Sequence, residues 1–211
     1  MDYLKPTIHL DYHSPEIQAI VAEFANSDLS EQDKAKGIYL KIRDGWRYNP
    51  YVISVDEKNY IASEISKKSE GHCVDKAILL IACLRALKIP ARIRLAKVTN
   101  HIAVERLTER FGTNVLTPHG MVDVYINDQW VKATPAFNRE LCHLCNVAPL
   151  EFDGETDSMF QEFNGEGKQF MEYLEDYGHF EDIPLEFMLQ NLQDNYPDVF
   201  NLGNGIVDYK F

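Results

Sequence analysis

Apolar residues recur at helical spacing in the first third of the chain. Ile17, Ile20, Val21 and Phe24 follow Ser14-Pro15-Glu16, an N-cap with proline at the first helical position. This predicts a helix that ends over residues 26–28. Ser30 caps a second helix, with Ala35, Ile38, Tyr39 and Ile42 on one face. It ends near Trp46, and Asn49-Pro50 stops any continuation. Ile61 and Ile65 suggest a short helix before Gly71. Residues 73–88 then form a helix with Ala77, Leu80, Ile81 and Leu84 on one face. Ile78 and Leu87 widen that face, so this helix is expected in the core. Ile89-Pro90 breaks it.

The period then changes. Residues 91–98 alternate in twos and read as a half-buried strand. A helix or irregular connection is expected over 100–117. Residues 119–126 and 129–134 read as strands joined by the Asn127-Asp128 turn, a hairpin signal. From about Leu150 acidic residues outnumber basic ones, yet aromatic residues are dense. That load argues against disorder. Residues 168–177 are expected to form a helix with Gly178 just past its end, and 184–193 another. The expected organisation is α+β. Residues 1–150 would form the core, and 151–211 an acidic, aromatic-rich, mainly helical extension packed on it. The tail reads either as a solvated acidic face with a packed aromatic side, or as a flap that selects basic substrates.

Composition narrows the function. The chain has 211 residues, 45% of them hydrophobic, enough for a substantial core. Its net charge of −12 opposes a nucleic acid partner and an anionic membrane surface. The longest apolar run, 77–84, is too short to span a bilayer, and the start lacks a secretory pattern. A cytoplasmic location is expected, with Cys73, Cys83, Cys142 and Cys145 reduced.

Chemistry centres on Gly71-His72-Cys73-Val74-Asp75-Lys76-Ala77. A thiol at a helix start sits at the positive end of the dipole, which favours the thiolate. Buried cysteines are more often inert, so a base is required to make the case. Of seven histidines, His119 is preceded by Thr117-Pro118 and begins a strand. His72 is expected to shape the cleft or face solvent. Cys142-His143-Leu144-Cys145 has zinc or redox spacing, but no second half-site follows, so a reduced, partly buried pair is expected. Trp46 and Trp130 are expected in the core rather than in a cleft.

These blocks resemble the transglutaminase-like superfamily. The run Arg85-Ala86-Leu87-Lys88-Ile89-Pro90-Ala91-Arg92 is similar to the close of that family's nucleophile helix. His119-Gly120-Met121-Val122-Asp123-Val124-Tyr125 and Trp130-Val131-Lys132-Ala133-Thr134-Pro135 resemble its histidine strand and the strand after it. Ile42-Arg43-Asp44-Gly45-Trp46-Arg47-Tyr48 resembles its lead-in helix, so the likeness spans about 32–138. It implies a papain-like core with the nucleophile helix packed on a small antiparallel sheet. Cys73 would be the nucleophile and His119 the base. The implied chemistry is acyl transfer or hydrolysis at amide bonds of a peptide or protein substrate, with no cofactor or metal. Backbone N–H groups at the helix start would hold the oxyanion, each worth roughly 3–4 kcal/mol of barrier. The family's aspartate is replaced by Thr134, with Asn138 as a substitute for orienting the imidazole. Two outcomes follow: a cysteine enzyme with a varied triad, or a binding module that has lost turnover.

Overall fold

The computed structural model describes residues 2–25, 28–101 and 104–197. Helix α1 (Pro15–Ala25) and helix α2 (Glu31–Gly45) lie where their apolar stripes predict. Asn26 and Ser27, in the expected helix end, lie outside the described residues. Ser30 caps α2 by accepting a hydrogen bond from the Asp33 N–H. Two short strands, β1 (Arg47–Tyr48) and β2 (Glu70–Gly71), pair in parallel, with the short helix α3 (Ala62–Ser66) between them in sequence. Helix α4 (Cys73–Ala86) follows and is buried from Cys73 to Arg85.

Strand β3 (Ala91–Asn100) comes next, then α5 (Val104–Phe111), β4 (Val115–Ile126) and β5 (Gln129–Ala133). Asn127 and Asp128 both take positive φ, 51° and 63°, which matches the right-handed twist of a two-residue hairpin. Helix α6 (Arg139–Leu144), strand β6 (Met171–Phe180) and helix α7 (Leu185–Asn195) complete the described chain. The sheet runs β5-β4-β3-β6 and is antiparallel throughout. Helix α4 packs on it through β3 and β4, with α1, α2 and α3 around the helix.

Strand β6 corrects the helix expected over 168–177. Phe170, Tyr173, Leu174 and Tyr177 mimic a helical stripe, but Leu174 is exposed. Strand β3 had a free edge, and β6 fills it, with Val98 opposite Tyr173 and Ile93 opposite Phe180. Backbone pairing with a strand far away in sequence outweighs a weak local period. The tail thus adds one strand and one helix. Its attachment is polar as well: the buried Arg85 guanidinium donates to the carbonyls of Lys5, Ala91 and Glu181.

Lys76 is fully buried one turn into α4. Its Nζ donates to the carbonyls of Arg43 (2.7 Å), Trp46 (2.8 Å) and Ala136 (2.7 Å). Two of these belong to the end of α2, where carbonyls lack helical partners and a cation is favoured. Burial pulls the Lys76 pKa down to about 7, while three close carbonyls hold all three ammonium protons. A neutral amine would aim its lone pair at one of those oxygens, so the arrangement is that of the ammonium. Replacing Lys76 with methionine keeps the volume and orphans three carbonyls. We expect Lys76→Met to lose about 3–5 kcal/mol of stability, read as the shift in urea unfolding free energy.

Candidate active site

Cys73 is the first residue of α4, and His72 is its N-cap. The Nδ1 of His72 accepts from the Asp75 N–H at 3.0 Å, and the Asp75 carboxylate accepts from the His72 N–H at 3.2 Å. This reciprocal box satisfies two donors at the helix start. It also corrects the solvent-facing option for His72, which is buried and lines the Cys73 cavity. The helix start rests on Gly120 of β4. A Cβ there would lie 2.8 Å from the Val74 Cα, so only glycine permits the contact.

That contact sets the start of α4 against the residue directly after His119 in the chain, while Cys73 and His119 themselves line separate cavities. Burial dominates and pushes the Cys73 thiol up to about 11, and the Asp75 charge adds to it. The N–H groups of Gly120, Val74 and Cys73 pull the other way. This corrects the expectation of a lowered thiol pKa: the helix start is present, but the sulfur is shut from water, and desolvation outweighs the dipole.

His119 is buried, with neither ring nitrogen hydrogen-bonded. Burial lowers its pKa to about 4, and His72 adds to the effect. Both groups are therefore neutral at pH 7, a thiol and an imidazole rather than an ion pair. Val122 faces Ala133 in the β4–β5 ladder, so one step further sets Thr134 opposite Met121 and diagonal to His119. His119 and Thr134 line one small cavity with Phe160, Gln161 and Met171, and the Thr134 hydroxyl is likewise buried without a partner. Asn138 lies elsewhere: its Oδ1 accepts from the Tyr48 N–H at 3.0 Å and holds β1. It orients a strand, not the imidazole.

Cys73 lines a cavity of about 40 Å³ with Tyr48, Tyr60, Thr117, Met188 and Tyr196. That is room for a few waters and no more. Helix α7 supplies the cover. The Tyr196 hydroxyl donates to the Val115 carbonyl at 2.7 Å and accepts from the Thr117 N–H at 2.8 Å. The Thr117 hydroxyl donates to Asn191 at 2.8 Å. Of the two tail readings, the geometry is that of a cover on the cleft, presenting apolar residues and a tyrosine inward. Neither tryptophan lines the Cys73 cavity, and Trp130 stacks on Arg92 at 3.9 Å. Cys142 is buried, Cys145 is half-buried, and both are free thiols. Among the described residues, no cluster of three or more His, Cys, Asp or Glu could hold a metal ion, and no helix is long and apolar enough to cross a membrane. Lys76 carries no signal in the sequence except its place three residues after Cys73. His72 and Asp75 do carry one, since a polar residue followed at i+3 by an acid is capping-box spacing.

The chain belongs to the transglutaminase-like superfamily, whose family model matches residues 18–135, more than half its length. The match takes in Cys73, His119 and Thr134. A solved structure of a proposed cysteine protease from Cytophaga hutchinsonii aligns at 20% identity with a TM-score of 0.48. The alignment covers 64% of this chain and 40% of that one, so the present chain spans well under half of that protein. Among curated proteins, none matches.

Two outcomes check this geometry. In the unfolded chain His119 binds its proton near pH 6.5, and in the folded chain only near 4. Its contribution is thus full above pH 6.5 and lost as pH falls towards 4. We expect roughly 3 kcal/mol of acid-dependent destabilisation from this residue. His119→Gln should flatten that part of the curve in urea titrations at pH 7 and 4.5. Gly120→Ala should cost about 1–3 kcal/mol by forcing Val74 off the strand, measured by thermal unfolding.

Proposed function

We propose that the protein is a cysteine enzyme acting on amide bonds of peptides or proteins, by hydrolysis or acyl transfer, with Cys73 as nucleophile and His119 as base. The observation that carries this is the seat of Cys73: a helix-start thiol whose first turn packs, through Val74, against Gly120, the residue after His119. Because thiol and imidazole are both neutral, attack is coupled to proton transfer. The Cys73 proton passes to a His119 ring nitrogen as sulfur bonds the amide carbon. Backbone N–H groups at the helix start face the developing oxyanion. The protonated imidazole then gives its proton to the departing amine, leaving a thioester. Water or a second amine attacks the thioester, returns a proton through His119 and frees the thiol.

The described state is the resting one on this reading, with α7 over the cleft and the imidazole unbonded. Catalytic hydrogen bonds commonly tighten only with substrate present. The second reading, a binding module without turnover, is favoured by one specific observation. Thr134 supplies no carboxylate to an imidazole that has no polar partner.

The two readings separate in one set of assays. Ammonia release from glutamine peptides and cleavage of fluorogenic peptide amides should be measurable in the wild type and absent in Cys73→Ser and His119→Ala. Absence in all three, with the fold intact, establishes the binding module. Thr134→Asp places a carboxylate beside His119 and should raise the imidazole pKa. We expect Cys73 alkylation by iodoacetamide at pH 7 to accelerate by about tenfold or more, at some cost in melting temperature. An unchanged rate would mean that the two side chains do not act together.

A further inference from the structure

A second cavity, of about 400 Å³, lies beside the Cys73 cleft. It is built by β1, α5, α6 and the ends of β3 and β4, and Tyr48, Pro50 and Leu116 line both spaces. The two are therefore adjacent. The Cys73 side is filled by Met188, Leu192 and Tyr196 of the tail, whereas the neighbouring cavity is within the range that holds small ligands.

The walls define what fits. Leu107, Phe137, Leu141, Val147 and Phe170 supply an apolar lining, and Phe137 meets Tyr48 edge-on at 4.8 Å. Such ring edges and faces favour another aromatic group. Charge is balanced: Arg47 is ion-paired to Glu70, and Arg106 and Glu140 contribute one charge of each sign. Asn138 lines the cavity while its Oδ1 holds the Tyr48 N–H, so one wall is fixed by a buried hydrogen bond.

We propose that this cavity receives a large neutral side chain, aromatic or long aliphatic, from the peptide whose amide is presented to Cys73. The proposal rests on the reading of Cys73 as the reacting thiol. It sets substrate choice against the net charge of −12, which by itself would draw basic peptides. Global charge governs encounter; the cavity governs what stays.

The test is binding, so that it stands apart from turnover. Nile red, a neutral apolar dye, is titrated into the full-length protein and competed with the N-acetyl amides of phenylalanine, leucine, lysine and glycine. The phenylalanine and leucine compounds should displace the dye at concentrations about tenfold lower than the lysine and glycine compounds. Leu141→Trp fills the cavity from α6 and should abolish dye binding while circular dichroism and melting stay native. Leu144→Trp, at a position 85% exposed on the cavity's rim, should weaken binding without disturbing the core. Equal competition by all four amides, or dye binding unchanged in both variants, overturns the proposal. Selective binding without turnover in any assay leaves the cavity assignment standing and removes the catalytic one. Turnover without preference between phenylalanine and lysine peptides does the reverse.

Discussion

One buried ammonium holds the site together. Lys76 has no water to solvate it, so its three protons must find acceptors in the protein. They find the end of α2 and the loop between β5 and α6. The first turn of α4, the segment leading into β1 and the loop leading to Asn138 are therefore pinned to one point. Cys73 sits one turn before that point, and Tyr48 and Asn138 close the neighbouring wall through their own hydrogen bond. Arg43 extends the same anchoring outward, donating to the Leu150 carbonyl and pairing with Asp44 and Glu151. The cost of burying charge is offset by hydrogen bonds that also fix the relative position of three chain segments.

Within that frame, two demands compete at Cys73. A helix start with three nearby N–H groups favours a thiolate, and exclusion of water disfavours it more strongly. His119 answers the same environment in the opposite direction, since burial disfavours its cation. Both groups are therefore neutral near pH 7. Burial sets the charge state of both groups, but from different segments: α7 and Tyr196 close the cavity at Cys73, whereas Phe160, Gln161 and Met171 enclose His119. Tyr196, Asn191 and Thr117 tie that cover to β4 two residues from His119. The cover is thus tied to the strand that carries His119.

Much of this was legible in the residues. The capping signals at Ser14-Pro15 and Ser30, the all-round apolar run after Cys73 and the Asn127-Asp128 turn are local features, and local features declare themselves in sequence. Strand β6 did not, because its partners on β3 lie between 71 (Asn100 to Met171) and 87 (Ile93 to Phe180) positions away, and its aromatic spacing also suits a helix. Thr134 was recognisable as a departure from the family's aspartate. That Asn138 would be engaged by Tyr48 instead of the imidazole was not, since both are within a few residues of the right place.

The sequence by itself determined the α+β class, the order of the main helices and strands as far as β5, the thiol at a helix start and the histidine on a strand. These follow from periodicity, capping and a family pattern carried by contiguous residues. The tertiary structure decided the rest. It set the thiol and imidazole pKa directions, the burial of Lys76, the cover by α7 and the division between a filled cleft and an open cavity. Each of those depends on how much water is removed from a group and on which distant segment removes it, and neither quantity is written in the spacing of residues along a chain.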